Sequence, residues 1–86
     1  MAEVKVGTVT HYFGHIQVAA ITLEGELKVG DTVHIKGHTS DFTQTIDSMQ
    51  LEHESIEVGQ AGQEIAVKIA EHAREHDEVF KVTADE

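Results

Sequence analysis

Leu27-Lys28-Val29-Gly30-Asp31-Thr32-Val33-His34-Ile35-Lys36-Gly37 is the stretch whose reading decides the fold. The Gly-Asp pair turns the chain and strict alternation follows. Val33 and Ile35 point one way and His34 and Lys36 the other, the period of a strand with one buried face. A second Gly-rich corner, Val58-Gly59-Gln60-Ala61-Gly62, feeds another such strand, in which Ile65, Val67 and Ile69 face inward and Glu64, Ala66 and Lys68 outward.

Working outward from these two corners, six strands are expected, over residues 4–12, 15–23, 32–36, 42–51, 63–70 and 78–83. Phe13-Gly14 reads as a tight hairpin corner that pairs Tyr12 with His15. Glu24-Gly25-Glu26 breaks the chain, Gly37-His38-Thr39-Ser40-Asp41 is a polar loop, and residues 52–60 form a connector. Only residues 70–77 have room for a turn or two of helix, and Ala84-Asp85-Glu86 should fray.

Two strands carry parity breaks. Val4 and Val6 share a face that Val9 does not, and Ile46 lies opposite Met49 and Leu51. A period-2 strand buries both sets only if it bends, so β-bulges are expected near Gly7-Thr8 and Asp47-Ser48. Such bulges supply the curvature of a barrel, and the connections are too short for parallel crossovers. The expectation is therefore an all-β chain, a small closed six-stranded antiparallel β-barrel, with residues 1–86 forming one domain.

Composition narrows the functions. The chain has 86 residues and no Cys, Pro or Trp. Disulfides and thiolate metal sites are excluded. No apolar run approaches the ~20 residues of a membrane helix, and the start Met1-Ala2-Glu3-Val4-Lys5 lacks the shape of a signal peptide, so a soluble, cytoplasmic protein is expected. Sixteen Asp and Glu against six Lys and Arg give a net charge of −10. Phosphate recognition draws on clustered cations, so this balance disfavours a nucleic-acid backbone as ligand. Protonation of all seven His would bring the charge to −3, which makes association sensitive to pH between about 5 and 7.

Three segments in order carry a family resemblance: Leu27-Lys28-Val29-Gly30-Asp31-Thr32-Val33, Ser48-Met49-Gln50-Leu51-Glu52-His53-Glu54 and Ala61-Gly62-Gln63-Glu64-Ile65-Ala66-Val67. They resemble the L-K-x-G-x-x-V, S-V-E-M-H-H-E and P-G-D-N-V-G-F segments of the second domain of translational GTPases such as elongation factor Tu. The chain is most similar to stand-alone translation elongation factor-like proteins, and a similar barrel is appended to some collagenase-like U32 peptidases. The resemblance implies a barrel of the translation-factor domain 2 type. It also implies that the position of Gln50 belongs to a pocket for the terminal adenosine of aminoacyl-tRNA, where the family carries Glu. An amide still makes hydrogen bonds there, but the carboxylate is gone. The GTPase domain and its phosphate loop are absent, so no GTP binding is expected, and independent tRNA binding is not expected from so acidic a chain.

Possible catalytic groups are few. His72-Ala73-Arg74-Glu75-His76 matches H-x-x-E-H, in which two His on one helical face would hold Zn²⁺ and Glu75 would act as base. Between two strands there is no room for a long catalytic helix, and that chemistry also needs a third ligand and a cleft. His72 and His76 therefore stand as weak metal candidates, and a zinc hydrolase is a minor alternative. The carboxylate pairs Glu24/Glu26 and Glu52/Glu54 lack a pocket, and no Ser or Cys is set as a nucleophile. The expected function is a non-catalytic binding module, without cofactor, that docks on a protein or ribonucleoprotein through Gln50, Leu51, His53 and the corner aromatics Phe13 and Phe42. The main alternative is the accessory barrel of a U32 peptidase-like enzyme. A homo-oligomer that covers open barrel ends is a third reading.

Overall fold

The computed structural model describes residues 2–83; the expected fraying of Ala84-Asp85-Glu86 lies outside the described residues. Ten strands and no helix are found there: β1 (Ala2–Phe13), β2 (Val18–Leu23), β3 (Leu27–Lys28), β4 (Thr32–Lys36), β5 (Asp41–Thr45), β6 (Met49–Leu51), β7 (Glu54–Ile56), β8 (Val58–Gly59), β9 (Glu64–Lys68) and β10 (Glu78–Thr83). No helix among the described residues is long and apolar enough to cross a membrane.

Eight strands form one antiparallel sheet in the order β5-β4-β10-β1-β2-β9-β6-β7, and β3 pairs with β8 in a separate ribbon. The all-β class is observed. The expected six strands become ten, and among the described residues the hydrogen-bonded ladder does not close, because β5 and β7 end the sheet without pairing to each other. A side chain ties β5 to the end of β9 instead. Gln44 of β5 donates through Nε2 to Lys68 O (3.1 Å) and accepts from Ala70 N–H through Oε1 (2.7 Å), beyond the end of β9.

The Gly-Asp corner explains one split strand. Gly30 sits at φ 98°, a left-handed conformation costly for a side-chain-bearing residue, and Asp31 Oδ2 accepts from Lys28 N–H (2.9 Å). Ile46 then leaves β5 to bond this corner. Its N–H donates to Asp31 O and its carbonyl accepts from Gly30 N–H, both 2.8 Å. The expected strand over 42–51 is thus broken at 46–48, with no bulge at Asp47-Ser48, because Ile46 exchanges a neighbouring strand for a corner. The expected connector over 52–60 instead contains β7 and β8.

The expected bulge in β1 is observed close to its place. Its pairing with β10 shifts between Lys5 and Gly7, and a second shift, in the pairing with β2, falls between Val9 and His11. These shifts let Val6 and Val9 both turn inward while Val4 is exposed. The β1–β2 turn is wider than expected: Phe13 pairs with Val18 and Tyr12 with Ala19, not with His15. Gln17, at φ 56°, is anchored there by accepting from Ile69 N–H (2.9 Å).

Val9, Ile21, Leu23, Val33, Ile35, Ile65, Val67 and Val79 fill the interior with branched aliphatic side chains. Burying each contributes about 1.5–3 kcal/mol. Their alternation sets the opposite positions on the outer face, and there the candidate site lies.

Candidate functional site

The register of β2, β9 and β6 builds a shallow trough on the outside of the sheet. Ala20 pairs with Ala66, and Ala66 pairs with Gln50, so one row across three strands carries two methyl groups and an amide. Small side chains in a row leave a depression where larger neighbours stand on both sides. Next to it, β6 and β7 are joined by Glu52 and His53, at φ 52° and 69°. This is the backbone of a hairpin turn that usually takes Asn-Gly, and here it aims two polar side chains at the row.

Two contiguous hollows result. One, of about 160 Å³, has Ala20 and Ala66 at its base with Gln50, Glu52, His53 and Glu64 around it. The other, of about 330 Å³, shares Gln50 and Ala66 and extends to Ile16, Val18 and Lys68. Glu64 is held in place from β1. The bulge at Thr10 turns its hydroxyl over β2 to donate to Glu64 Oε2 (2.7 Å), with Ala20 O also within 3.2 Å. The trough is therefore carboxylate-rich at one end, cationic at Lys68, and apolar along its length, with Ile16 strongly exposed at 61 %.

The five candidate contacts separate. Gln50 and His53 come together in the smaller hollow. Leu51, one residue on, is half-buried and packs against the core, as strand alternation requires. Phe13 is exposed at the hairpin tip with its ring against His11 (centroids 4.4 Å). Phe42 is a correction: its ring is buried in the core at 8 % exposure, because it shares the inward parity of β5, so it offers no surface to a partner. Ala20, Ala66 and Glu64 were missed. The signal was present as small residues inside strands, but only the register shows that they lie side by side.

A larger open concavity, about 470 Å³, is lined by His11, Tyr12, His72, Arg74, Glu75 and His76. The H-x-x-E-H segment there is not helical. Arg74 N–H donates to Asp77 Oδ2 (2.9 Å), Asp77 N–H donates to Arg74 O (3.2 Å), and His76 takes φ 75°. Two pairs of its side chains touch: His11 Nδ1 and Glu75 Oε2 are 3.2 Å apart, and the rings of His72 and Tyr12 are 4.5 Å apart. Among the described residues no group of three His, Cys, Asp or Glu is placed to hold a metal ion. The trough, with polar groups directed at an apolar base, is the better candidate for recognition.

Comparison with solved structures decides the fold type. The chain superposes on the C-terminal domain of a Geobacillus thermoleovorans protein named as a U32 peptidase with a TM-score of 0.87, 20 % identity and 92 % coverage of each chain. The selenomethionine variant of that domain gives a TM-score of 0.83 at 19 % identity, covering 87 % of this chain and 95 % of the other. Its fold is that of a U32 peptidase C-terminal domain. In sequence, the chain is 33 % identical over 79 residues to an uncharacterized protease of Methanocaldococcus jannaschii, covering 91 % of this chain and 19 % of that protein. It is 30 % identical over 81 residues to a collagenase of Porphyromonas gingivalis, covering 92 % of this chain and 20 % of that protein. The chain thus spans about a fifth of the length of the curated relatives it matches. No protein-family model matches the sequence. The U32 part of the sequence resemblance is supported by these comparisons; the elongation-factor part is not.

Proposed function

We propose that this chain is a non-catalytic accessory module of a U32 peptidase-like protein, docking on protein through the trough of β2, β9 and β6. The asymmetry of coverage carries the reading. The alignment takes in 91 % of this chain but 19 % of the M. jannaschii protease, so what the two share is one domain-sized portion of a longer protein. The site chemistry agrees with recognition rather than reaction. The smaller hollow presents an amide, two carboxylates, an imidazole and alanine methyls, and the larger adds Ser48 and Lys68; among the described residues no base is hydrogen-bonded to the Ser48 hydroxyl. A protein partner fits this surface better than a ribonucleoprotein, since Glu52 and Glu64 would repel phosphate where Gln50 lies.

The test is a binding measurement with a defined partner. A U32 peptidase-like protein from which the matching segment has been deleted is mixed with this chain and followed by sedimentation velocity and calorimetry. A one-to-one complex with Kd in the micromolar range or below is expected. Absence of a complex with the deleted protein at about 100 µM of each would overturn the reading.

A further inference from the structure

Resting on the docking reading, we infer that the trough receives an extended protein segment carrying a basic side chain, Lys or Arg, with an apolar side chain two residues away. The smaller hollow, about 160 Å³, is on the scale of one long side chain. Ala20 and Ala66 at its base offer methyl surface for the aliphatic stem of Lys or Arg. The carboxylates of Glu52 and Glu64 and the amide oxygen of Gln50 stand around it as acceptors for the charged head. Thr10, donating to Glu64 Oε2 at 2.7 Å, fixes one carboxylate and leaves its other oxygen for a ligand.

The neighbouring hollow sets what accompanies that side chain. The Val18/Lys68 pair lies two residues along both strands from the Ala20/Ala66 pair, a separation of about 6.6 Å. Ile16 and Val18 make this end apolar, and both line the second hollow. An extended segment repeats its side-chain direction at the same two-residue interval, so a basic residue over Ala66 places the residue two positions away over Ile16 and Val18. Lys68 at this end disfavours a second cation there. The net charge of −10 complements a basic segment over longer range.

Acetyl-Leu-Gly-Arg-amide is titrated into the ¹⁵N-labelled chain. Saturable shifts of the Ala20, Gln50, His53 and Ala66 amides are expected, with Kd in the millimolar range. Acetyl-Leu-Gly-Glu-amide should leave those amides in place. Glu64→Gln and Glu52→Gln should each raise Kd by about three- to tenfold, and Ala66→Gln, which fills the base without touching a carboxylate, should do the same. Both glutamates are exposed, and an unchanged amide spectrum of each free variant confirms its fold. Shifts that do not saturate, that scatter over other acidic surfaces, or that survive all three substitutions would overturn the inference. So would a hexauridylate oligonucleotide that moves the same amides at lower concentration than the peptide. The peptide titration uses this chain alone, so a complex with the U32-like protein that ignores the three substitutions would remove this face and leave the accessory reading standing.

Discussion

His34 of β4 holds one carboxylate from each of two other strands. Its Nδ1 lies 2.8 Å from Glu3 Oε2 of β1, and its Nε2 bonds Asp41 Oδ1 of β5. A neutral imidazole donates from one nitrogen only, so serving both carboxylates requires the imidazolium. The bond to Asp41, then the bond to Glu3, raises the pKa of His34 against a smaller opposing effect of burial. A histidine with a raised folded value stabilises the fold fully below its unfolded pKa, about 6.5, and that contribution fades as pH rises through the folded value. The difference in Tm between the chain and His34→Gln should therefore be largest near pH 5.5 and shrink by pH 8.5; a difference that grows with pH would contradict the arrangement. At Gly37 the constraint is steric. A Cβ there would overlap Oδ1 of the buried Asp77, whose other oxygen caps Arg74 N–H. Gly37→Ala should cost about 1–3 kcal/mol in urea denaturation. In an Asp77→Ala background most of that cost should vanish, since the clashing oxygen is gone. Neither feature was legible in sequence. Glu3 and His34 are 31 positions apart, and Gly37 reads as an ordinary loop glycine until Asp77 is laid over it.

Elements were legible where local alternation and the hydrogen-bond partners agree. Over 32–36 and 78–83 the expected and observed strands coincide, because Val33, Ile35 and Val79 face one core throughout. Over 42–51 they diverge. Ile46 is apolar and β-branched, and nothing local says that its backbone bonds Gly30 and Asp31 instead of a neighbouring strand. The same gap in local information hid the role of Gln44, whose amide supplies bonds to Lys68 O and Ala70 N where the ladder stops. Gln44→Ala should destabilise the chain by about 1–2 kcal/mol. Hydrogen exchange at the Ala70 amide should quicken at least tenfold beyond what the global loss accounts for. Exchange at Ala70 that follows global stability alone would show that the bridge does not hold this seam. At the trough, Gln50 and His53 were visible as a polar segment, while the pairing of Ala20 with Ala66 is a fact of register.

At the scale of the molecule, the proposed docking would divide its work between charge and shape. The net charge of −10 acts over a Debye length, about 10 Å at 0.1 M salt, whereas the hollow beside Gln50 acts only at contact. Long-range attraction speeds encounter with a basic partner, and short-range fit governs how long the complex lasts. The two parts should separate in kinetics. For the complex with the segment-deleted U32 peptidase-like protein, raising NaCl from about 0.05 to 0.5 M should slow association about tenfold and change dissociation less than about threefold. Glu64→Gln should show the opposite balance: it removes one charge of the whole but a fixed acceptor of the site, so dissociation should quicken more than association slows. Association that ignores salt would mean the partner meets this chain through its apolar surface, with Ile16 and Phe13 at the hairpin tip as the place to look. The coverage asymmetry supplies the last step. If the homologous region of the longer relatives docks within its own chain, tethering replaces encounter, and the salt dependence seen for separate chains should disappear when this chain is fused to the same partner.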